Sequence, residues 1–252
     1  MNITAKEVST IPHLGHGEAM GLAAVEYDRF VAAVDALAPD EWDRPTDNEL
    51  WGVKALVCHV LGMMEMNAAV RETIRQQRAA ARAAKRNGTA QIDELTALQV
   101  DKHAHRSVAG LATLVRATAP KALAGRRRTP GFIRALPIDP GTPLFSEKWT
   151  LGYLLDVILT RDTWMHRVDL ARATGRALAL TGDHDGRIVA DVVKEWARRH
   201  ARPFTLVLGG PAGGEYTQGA GGEHIELDAV EFCRVLSGRG TGTGLLTQSV
   251  PF

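Results

Sequence analysis

Residues 148–175, KWTLGYLLDVILTRDTWMHRVDLARATG, combine an apolar helical pattern with polar residues on the same face. Apolar residues recur every three or four positions in the first half, which predicts an amphipathic helix that ends at the final glycine. Farther along the same face the apolar stripe is replaced by Asp162, His166 and Asp169. Because Asp162 and His166 are four residues apart, their side chains are neighbours on this face of the helix.

Three more long helices are predicted before this one, over residues 17–38, 51–86 and 91–119, each followed by proline or glycine. Residues 120–147 contain several prolines and are predicted to form a long loop. In the second helix the inward apolar face is predicted to follow Leu56, Val60, Met63, Met66, Val70 and Ile74. Four helices of this length are typical of a helical bundle.

The remaining sequence has a different texture. One helix is predicted near residues 185–200, and a short one over 228–236. Between them lie three strand-like runs, FTLVLG, GEYTQG and EHIEL, separated by glycines. The predicted fold class is therefore α+β, with a four-helix domain over residues 1–179 and a smaller α+β domain over residues 180–252.

Composition excludes several classes of protein. Over 252 residues the formal net charge is +1, so the chain lacks the basic excess typical of a nucleic-acid-binding domain. No stretch approaches the roughly 18 uninterrupted apolar residues of a membrane-spanning helix, which predicts a cytoplasmic protein without a membrane partner. Two cysteines, Cys58 and Cys233, lie far apart, so neither a disulfide scaffold nor a cysteine-rich zinc site is expected. Any metal must then be held by histidine and carboxylate.

A third polar residue points to a shared site. His59 interrupts the inward face of the second helix between Leu56 and Met63, as Asp162 and His166 do in the last helix. Inward faces of a bundle converge on one core, where an unpaired carboxylate and two imidazoles cost several kcal/mol. A divalent cation satisfies all three groups, and such a site keeps positions open for water or substrate. The same groups can instead satisfy one another through hydrogen bonds or salt bridges.

Two further residues are candidates for supporting roles. Asp169 follows His166 by three residues and is expected to accept a hydrogen bond from its imidazole, which orients the ring from outside the ligand set. Capping, or pairing with Arg172 or Arg176, is the alternative role for this carboxylate. Arg239, in the loop SGRG, has a planar guanidinium suited to a carboxylate of a substrate or of a thiol cosubstrate. Its alternative is an exposed loop arginine.

Three segments of the sequence resemble one known family. EWDRPTDNELWGVKALVCHVLG over 41–62, RDTWMHRVDLARATGR over 161–176, and DAVEFCRVLSGRG over 228–240 with the terminal VPF are similar to the mycothiol-dependent maleylpyruvate isomerase family. The resemblance implies a DinB-like four-helix bundle followed by a smaller, sterol-carrier-like domain. It also implies a bound divalent metal, typically zinc. The family's isomerase carries glutamate where this chain has Asp162.

By resemblance, the metal on His59, Asp162 and His166 binds the sulfur of mycothiol and keeps it as the thiolate, which is the nucleophilic form. Addition to an electrophilic small molecule followed by expulsion gives cis-trans isomerisation, whereas retention of the adduct gives thiol S-transfer. An enzyme of either kind is expected, with mycothiol as cosubstrate. The protein's own thiols are not expected to replace it. Cys58 points about 100° away from His59 around the helix, and Cys233 lies in an apolar helical pattern.

Two functions of other classes stay open at this point. One is a non-catalytic ligand-binding or regulatory module that keeps the fold without the chemistry. The other is a thiol-independent metal hydrolase that uses ion-bound water. A coordination position that faces a cleft favours an enzyme, whereas a fourth protein ligand favours the module.

Overall fold

The computed structural model describes residues 5–48, 50–141, 145 and 147–252. Glu49, in the first family-like segment, and Pro143, in the predicted loop, lie outside this set. The chain divides into two compact units, one formed by residues 16–176 and one by residues 5–15 together with 177–252. The division differs from the predicted domains in two places, because residues 5–15 and residues 177–179 belong to the smaller unit. At the N-terminal end a short strand, β1 (Lys6–Glu7), pairs with a strand of the C-terminal unit.

The larger unit is mostly helical. Its first helices are α1 (His16–Asp35), α2 (Val53–Ala68), α3 (Val70–Asn87), α4 (Gln91–Ala104), α5 (Val108–Arg128) and α6 (Gly131–Arg134). A continuous helical stretch then comprises α7 (Leu151–Tyr153), a π-helical turn (Leu154–Ile158) and α8 (Leu159–Thr174). Two short strands, β2 (Pro137–Ile138) and β3 (Trp149–Thr150), pair antiparallel.

Helices α1, α2, α5 and α8 contact one another as a four-helix bundle, which confirms the predicted architecture. Apolar side chains from all four helices are buried between them. Representative members of this core are Phe30, Leu56, Leu61, Leu111 and Leu170. Full burial of one such side chain contributes about 1.5–3 kcal/mol, so this core is a principal source of stability for the unit.

The prediction of one continuous second helix is wrong, because the chain breaks at Ala69 into α2 and α3. Ala69 has an extended backbone (φ −150°, ψ 120°), and no glycine or proline marks the break in the sequence. After it the helix presents a different face: Val70 and Ile74, predicted to point inward, are 77% and 45% exposed. Gln76 and Ala80 are buried in their place.

Helices α3 and α4 pack against each other and against α2. Helix α2 is therefore covered by the bundle on one side and by the α3–α4 pair on another, and every residue over 56–62 is buried. A helix buried all round can carry a polar side chain only if that side chain has a partner. This condition applies to His59.

The predicted third helix also divides, into α4 and α5. Helix α5 begins after Ser107, whose hydroxyl accepts a hydrogen bond from the Gly110 N–H. The sequence predicts that Pro120 ends a helix, but Pro120 lies inside α5. An internal proline costs about 3 kcal/mol, which is offset by the buried face that includes Val115 and Ala122. The first part of the loop predicted over 120–147 is consequently helical.

The smaller unit combines helices and a sheet. After a π-helical turn (Gly182–Gly186) come α9 (Arg187–His200), β4 (Phe204–Gly209), β5 (Gly214–Gln218), β6 (Glu223–Asp228) and α10 (Ala229–Leu236). The sheet order is β1-β5-β4-β6, with β4 antiparallel to β5 and parallel to β6. Trp196 packs edge-on against Phe204 and Phe232 in its core. The fold class is α+β, as predicted. Across the described residues, no helix combines the length and apolar character needed to cross a bilayer.

Candidate metal centre

The structure brings His59 of α2 together with Asp162 and His166 of α8. The Nε2 atom of His59 lies 3.8 Å from Oδ2 of Asp162, and Nε2 of His166 lies 3.5 Å from Oδ1 of Asp162. The two imidazole rings are inclined at 77°, with centroids 5.1 Å apart. One donor atom from each residue lies within 4.8 Å of the other two. The carboxylate thus stands between the two imidazoles.

This donor set fits a divalent ion. Two ligands of a tetrahedral zinc, each about 2.0–2.2 Å from it, are about 3.4 Å apart. Nε2 of His166 lies 3.5 Å from Oδ1 of Asp162 and Nε2 of His59 lies 3.8 Å from Oδ2, so each imidazole is near this spacing from a different carboxylate oxygen. Such separations are too long for good hydrogen bonds, and the buried Oδ2 of Asp162 has no hydrogen-bond partner. A cation would remove the free-energy cost of that unpaired oxygen. The aspartate side chain directs one oxygen toward each imidazole.

The ionisable groups shift one another's protonation. Burial by itself would raise the pKa of the Asp162 carboxyl, but the neighbouring imidazoles, His166 above all, hold it well below its ordinary value. Burial would also lower the pKa of His166. The negative charge of the Asp162 carboxylate, followed by the polar contacts of the ring with Asp162 and Asp169, instead raises that pKa to about 9. In the metal-free protein the pair is an aspartate beside an imidazolium, so a cation at Nε2 must displace a proton.

His166 is oriented by a carboxylate on its own helix. Its Nδ1 atom lies 3.2 Å from Oδ2 of Asp169, which is fully buried. The two arginines considered as alternative partners of Asp169 bind other carboxylates, Arg172 that of Asp47 and Arg176 that of Glu41. The geometry therefore directs Nδ1 of the ring to a carboxylate and Nε2 to the centre of the cluster.

His59 is held by a residue that the sequence pattern did not identify. Its Nδ1 atom lies 2.8 Å from Oε1 of Gln99 in α4, and both side chains are buried. A signal for Gln99 exists in the sequence, because Leu95, Gln99 and His103 recur every four residues and form the buried face of α4. The helix predicted over 91–119 had no inward face assigned to it, and Gln99 was missed for that reason.

Trp51 covers one side of the two imidazoles. Its ring centroid lies 4.8 Å from that of His59 and 6.0 Å from that of His166. The turn before α2 holds Trp51 in place. Its backbone N–H donates to the Asn48 carbonyl, and its backbone carbonyl accepts a hydrogen bond from the Thr46 hydroxyl. An apolar ring lowers the local dielectric and strengthens electrostatic interactions beside it. Trp51 lies in the first family-like segment but was not predicted as a site residue.

The π-helical turn Leu154–Ile158 immediately precedes α8. Arg126 of α5 is buried and donates through Nε to the Leu155 carbonyl inside that turn. The same guanidinium donates to the side-chain oxygens of Tyr27 and Thr160. Turns of this kind occur frequently at functional sites. Arg126 therefore anchors the start of the helix that carries two of the three candidate ligands.

The remaining predicted residues have the following environments. Arg239 follows α10 in the smaller unit and is partly buried; its carbonyl accepts a hydrogen bond from the Arg234 guanidinium. Cys58 and Cys233 are buried, and neither is part of a disulfide. Burial raises the pKa of the Cys58 thiol to about 11, so this thiol is protonated at neutral pH and is a poor nucleophile.

The helical bundle of the larger unit is of the DinB-like class. Comparison with models of known protein families identifies a particular family within this class. The family model described as the mycothiol maleylpyruvate isomerase N-terminal domain matches residues 23–171, more than half of the chain. The chain belongs to the mycothiol maleylpyruvate isomerase family.

Two crystal structures are similar to this chain, one of the mycothiol-dependent maleylpyruvate isomerase and one of a histidine-to-alanine mutant of that enzyme. The TM-score is 0.59 in both cases, and the sequences are 16% and 15% identical to this chain. The similarity covers 94% of this chain and 93% of each of those chains, and at this identity it shows a shared fold. The comparison with curated proteins found no match.

Proposed function

We propose that this chain is a mycothiol-dependent enzyme that holds a divalent metal ion, zinc, on His59, Asp162 and His166. One observation carries the proposal: the donor atoms of these three residues lie close together, and the buried Oδ2 atom of Asp162 has no hydrogen-bond partner. The family supports the choice of thiol, since both similar crystal structures are of a mycothiol-dependent isomerase.

Each residue of the cluster has a defined role in this proposal. His59 and His166 present neutral Nε2 donors, and Asp162 supplies negative charge. When bound, a divalent ion supplies the positive charge that keeps a thiol ionised near neutral pH. Trp51 shields one side of the imidazoles from water, and Asp169 orients His166.

The proposed reaction is addition of the mycothiol thiolate to an activated double bond of a small electrophile. A sulfur lone pair forms a C–S bond, while the π electrons of the double bond move onto the conjugated carbonyl oxygen. The remaining single C–C bond rotates. Reversal re-forms the double bond and expels the thiolate, so isomerisation consumes neither a proton nor an oxidant. If the α-carbon instead takes up a proton from water, which balances the proton that the thiol released on ionising, the adduct persists and the reaction is thiol S-transfer.

Arg239 is proposed to bind a carboxylate of the substrate or of mycothiol through its planar guanidinium. Such binding acts equally on the ground state and the transition state, so Arg239→Gln is expected to raise KM with little change in kcat. The exposed Arg202, replaced in the same way, is the control. An unchanged KM would remove Arg239 from the site.

Metal analysis tests the ion. Protein purified anaerobically is expected to contain zinc, and His166→Ala is expected to lose it because one of three ligands is gone. His105→Ala is the matched control, since this histidine is exposed and lies in the same unit. Equal metal content in wild type and His166→Ala would overturn the proposed metal site.

The thiol is tested on cobalt-substituted protein. Mycothiol is expected to change the visible spectrum of the cobalt, because sulfur enters the coordination sphere. Turnover of maleylpyruvate, or of chlorinated or epoxide electrophiles, is expected only when mycothiol is present. Hydrolysis without any thiol would favour a metal hydrolase. A protein that binds metal but shows neither spectral response nor turnover would be a non-catalytic module.

A further inference from the structure

We propose that Glu72, Gln76 and Gln99 form a hydrogen-bonded relay that fixes the ring tautomer of His59. In this tautomer Nδ1 carries the proton and Nε2 presents its lone pair to the centre of the cluster. The value of the relay for metal binding rests on the proposed function. The tautomer itself is a property of the metal-free protein.

The relay is continuous through three helices. Oε1 of Glu72 accepts from Nε2 of Gln76 at 2.9 Å, and both residues belong to α3. Oε1 of Gln76 accepts from Nε2 of Gln99 in α4 at 3.0 Å. Oε1 of Gln99 faces Nδ1 of His59 in α2 at 2.8 Å. Gln76, Gln99 and His59 are all buried, so bulk water is not available as a substitute partner.

The carboxylate of Glu72 fixes which way the amide groups of the relay point. Arg75 and Lys102 both donate to it, at distances of 2.7–2.8 Å. Hydrogen bonds from Arg75, and then from Lys102 and Gln76, outweigh burial and hold the pKa of Glu72 well below its ordinary value. An ionised carboxylate accepts hydrogen bonds but cannot donate them. The amide of Gln76 must therefore turn its NH₂ group toward Glu72.

A second acceptor reinforces this orientation. The NH₂ group of Gln76 also donates to the Gly62 carbonyl at 3.1 Å, which is likewise unable to donate. The oxygen of Gln76 is left to face Gln99, so Gln99 must present its own NH₂ group. That places the oxygen of Gln99 against His59, and the facing nitrogen, Nδ1, must carry a hydrogen. In a neutral imidazole Nε2 then has the free lone pair.

Gly62 permits the close approach on which the last contact depends. It lies on α2 three residues after His59, and a Cβ atom there would stand 2.6 Å from the Cβ and Cγ atoms of Gln99. Only the absence of a side chain lets Gln99 lie this close to α2. The relay therefore depends on the packing of α4 against α2 and not on the sequence around His59 alone.

The tautomer is tested by long-range ¹H–¹⁵N correlation spectra of metal-free protein, recorded where the spectrum of His59 is that of a neutral ring. In the wild type, Nε2 of His59 is expected to give the signal of an unprotonated nitrogen. Gln99→Leu is expected to lose this preference and give a mixture of tautomers. Gln99→Glu keeps an acceptor at the same place and is expected to retain it. Protonated Nε2 in the wild type would overturn the relay.

Zinc affinity supplies a second, separate measurement. In competition with a chromophoric chelator, Gln99→Leu and Gln76→Leu are expected to raise the zinc Kd by about 10-fold, the lower end of the usual effect of such partners. The control is Gln77→Leu, which lies on α3 beside Gln76. Gln77 is hydrogen-bonded to Gln91 and not to a residue of the relay. A Kd in Gln76→Leu equal to that of the control would contradict the inference.

The two measurements separate this inference from the proposed function. If wild-type protein shows the expected tautomer but binds no zinc, the proposed metal site fails and the relay stands. If zinc binds but His59 carries its proton on Nε2 in the metal-free protein, the relay fails and the metal site stands. Should Gln99→Leu not fold, Gln76→Leu and Gln99→Glu still decide the question.

Discussion

The two imidazoles of the cluster are supported in different ways. His166 contacts Asp169, a carboxylate three residues away on the same helix. His59 contacts Gln99, a neutral amide on another helix, through Nδ1, and on this side of the ring a carboxylate follows only after a second amide. The first support is built within one turn of α8. The second requires that α3 and α4 fold back onto α2.

His166 is thus supported by a charged hydrogen-bond acceptor, whereas the support of His59 depends on how closely α4 packs against α2. A charged acceptor stabilises a donor roughly twice as strongly as a neutral one, so loss of the carboxylate beside His166 should have the larger effect on metal binding. The amide beside His59 should instead be sensitive to the distance between α2 and α4. Substitutions beside each imidazole therefore test whether the two supports differ in this way.

The largest effect is expected from Asp169→Asn, which keeps the shape of the side chain and removes its charge. The zinc Kd is expected to rise by up to about 100-fold, the upper end of the range for residues that orient a ligand. Competition with a chromophoric chelator measures it. Asp35→Asn is the control, because Asp35 pairs with Arg116 at the surface. A Kd rise smaller than that of Gln99→Leu would reverse the proposed order of the two supports.

A pH effect is expected on the His166 side. The Asp162 carboxylate raises the pKa of His166 from 6.5 to about 9 in the metal-free protein, against the effect of burial. A raised pKa stabilises the folded state fully below pH 6.5, and this stability is lost as the pH rises through about 9. Urea unfolding of metal-free protein should therefore show a falling free energy of unfolding over that window.

Asp162→Asn removes the charge responsible and should flatten this part of the profile. In wild-type protein the stability of the metal-free form falls over this pH window, whereas zinc affinity should rise over it. Zinc binding displaces the His166 proton, and this displacement becomes easier as the pH rises. A wild-type profile that is flat between pH 6.5 and 9 would contradict the assigned ion pair.

A smaller effect is expected from Gly62→Ala, which acts on the His59 side through packing. The added methyl group meets Gln99 and should lower the free energy of unfolding by about 1–3 kcal/mol, with a rise in the zinc Kd below that of Gln99→Leu. Gly21→Ala is the matched control in α1, since nothing lies within 4 Å of its Cβ position. That change should stabilise the helix by about 0.5–1 kcal/mol. Equal stability of the two variants would show that α4 moves freely relative to α2.

The smallest effect on metal binding is expected from Cys58→Ala, next to His59. Burial raises the pKa of this thiol to about 11, so it should neither compete as a ligand nor react with iodoacetamide in folded protein. Zinc affinity should be unchanged, while stability falls by about 1 kcal/mol from the small cavity. Rapid alkylation of native protein, or a loss of zinc in the variant, would require a different arrangement around His59.

Much of the candidate site was predictable because helical periodicity is a local property. Asp162, His166 and Asp169 share one helix, and their spacing places them on one face whatever the rest of the chain does. His59 was identified in the same way, as a polar interruption of an apolar stripe. Gln99 follows the same rule, but its helix had no assigned inward face, so its contact with His59 could not be predicted.

The errors in the predicted fold also have one cause. The break at Ala69 carries no local signal, and Pro120 carries a local signal that the buried face of α5 overrides. In both places the energy of tertiary packing exceeds the preferences of a few residues. Val70 and Ile74 fit an inward stripe in sequence, yet they are exposed because the chain turns before them.

The amino-acid sequence was enough to predict a helical bundle, the last helix of that bundle, the strands of the smaller unit, the family and the three clustered donors. Each of these follows from periodicity within one element or from motifs along the chain. The tertiary structure was needed to establish that α3 and α4 cover α2, that Gly62 leaves room for Gln99, and that the relay from Glu72 ends on His59. Those features depend on distances between separate helices, which burial and packing set only when the whole unit is assembled.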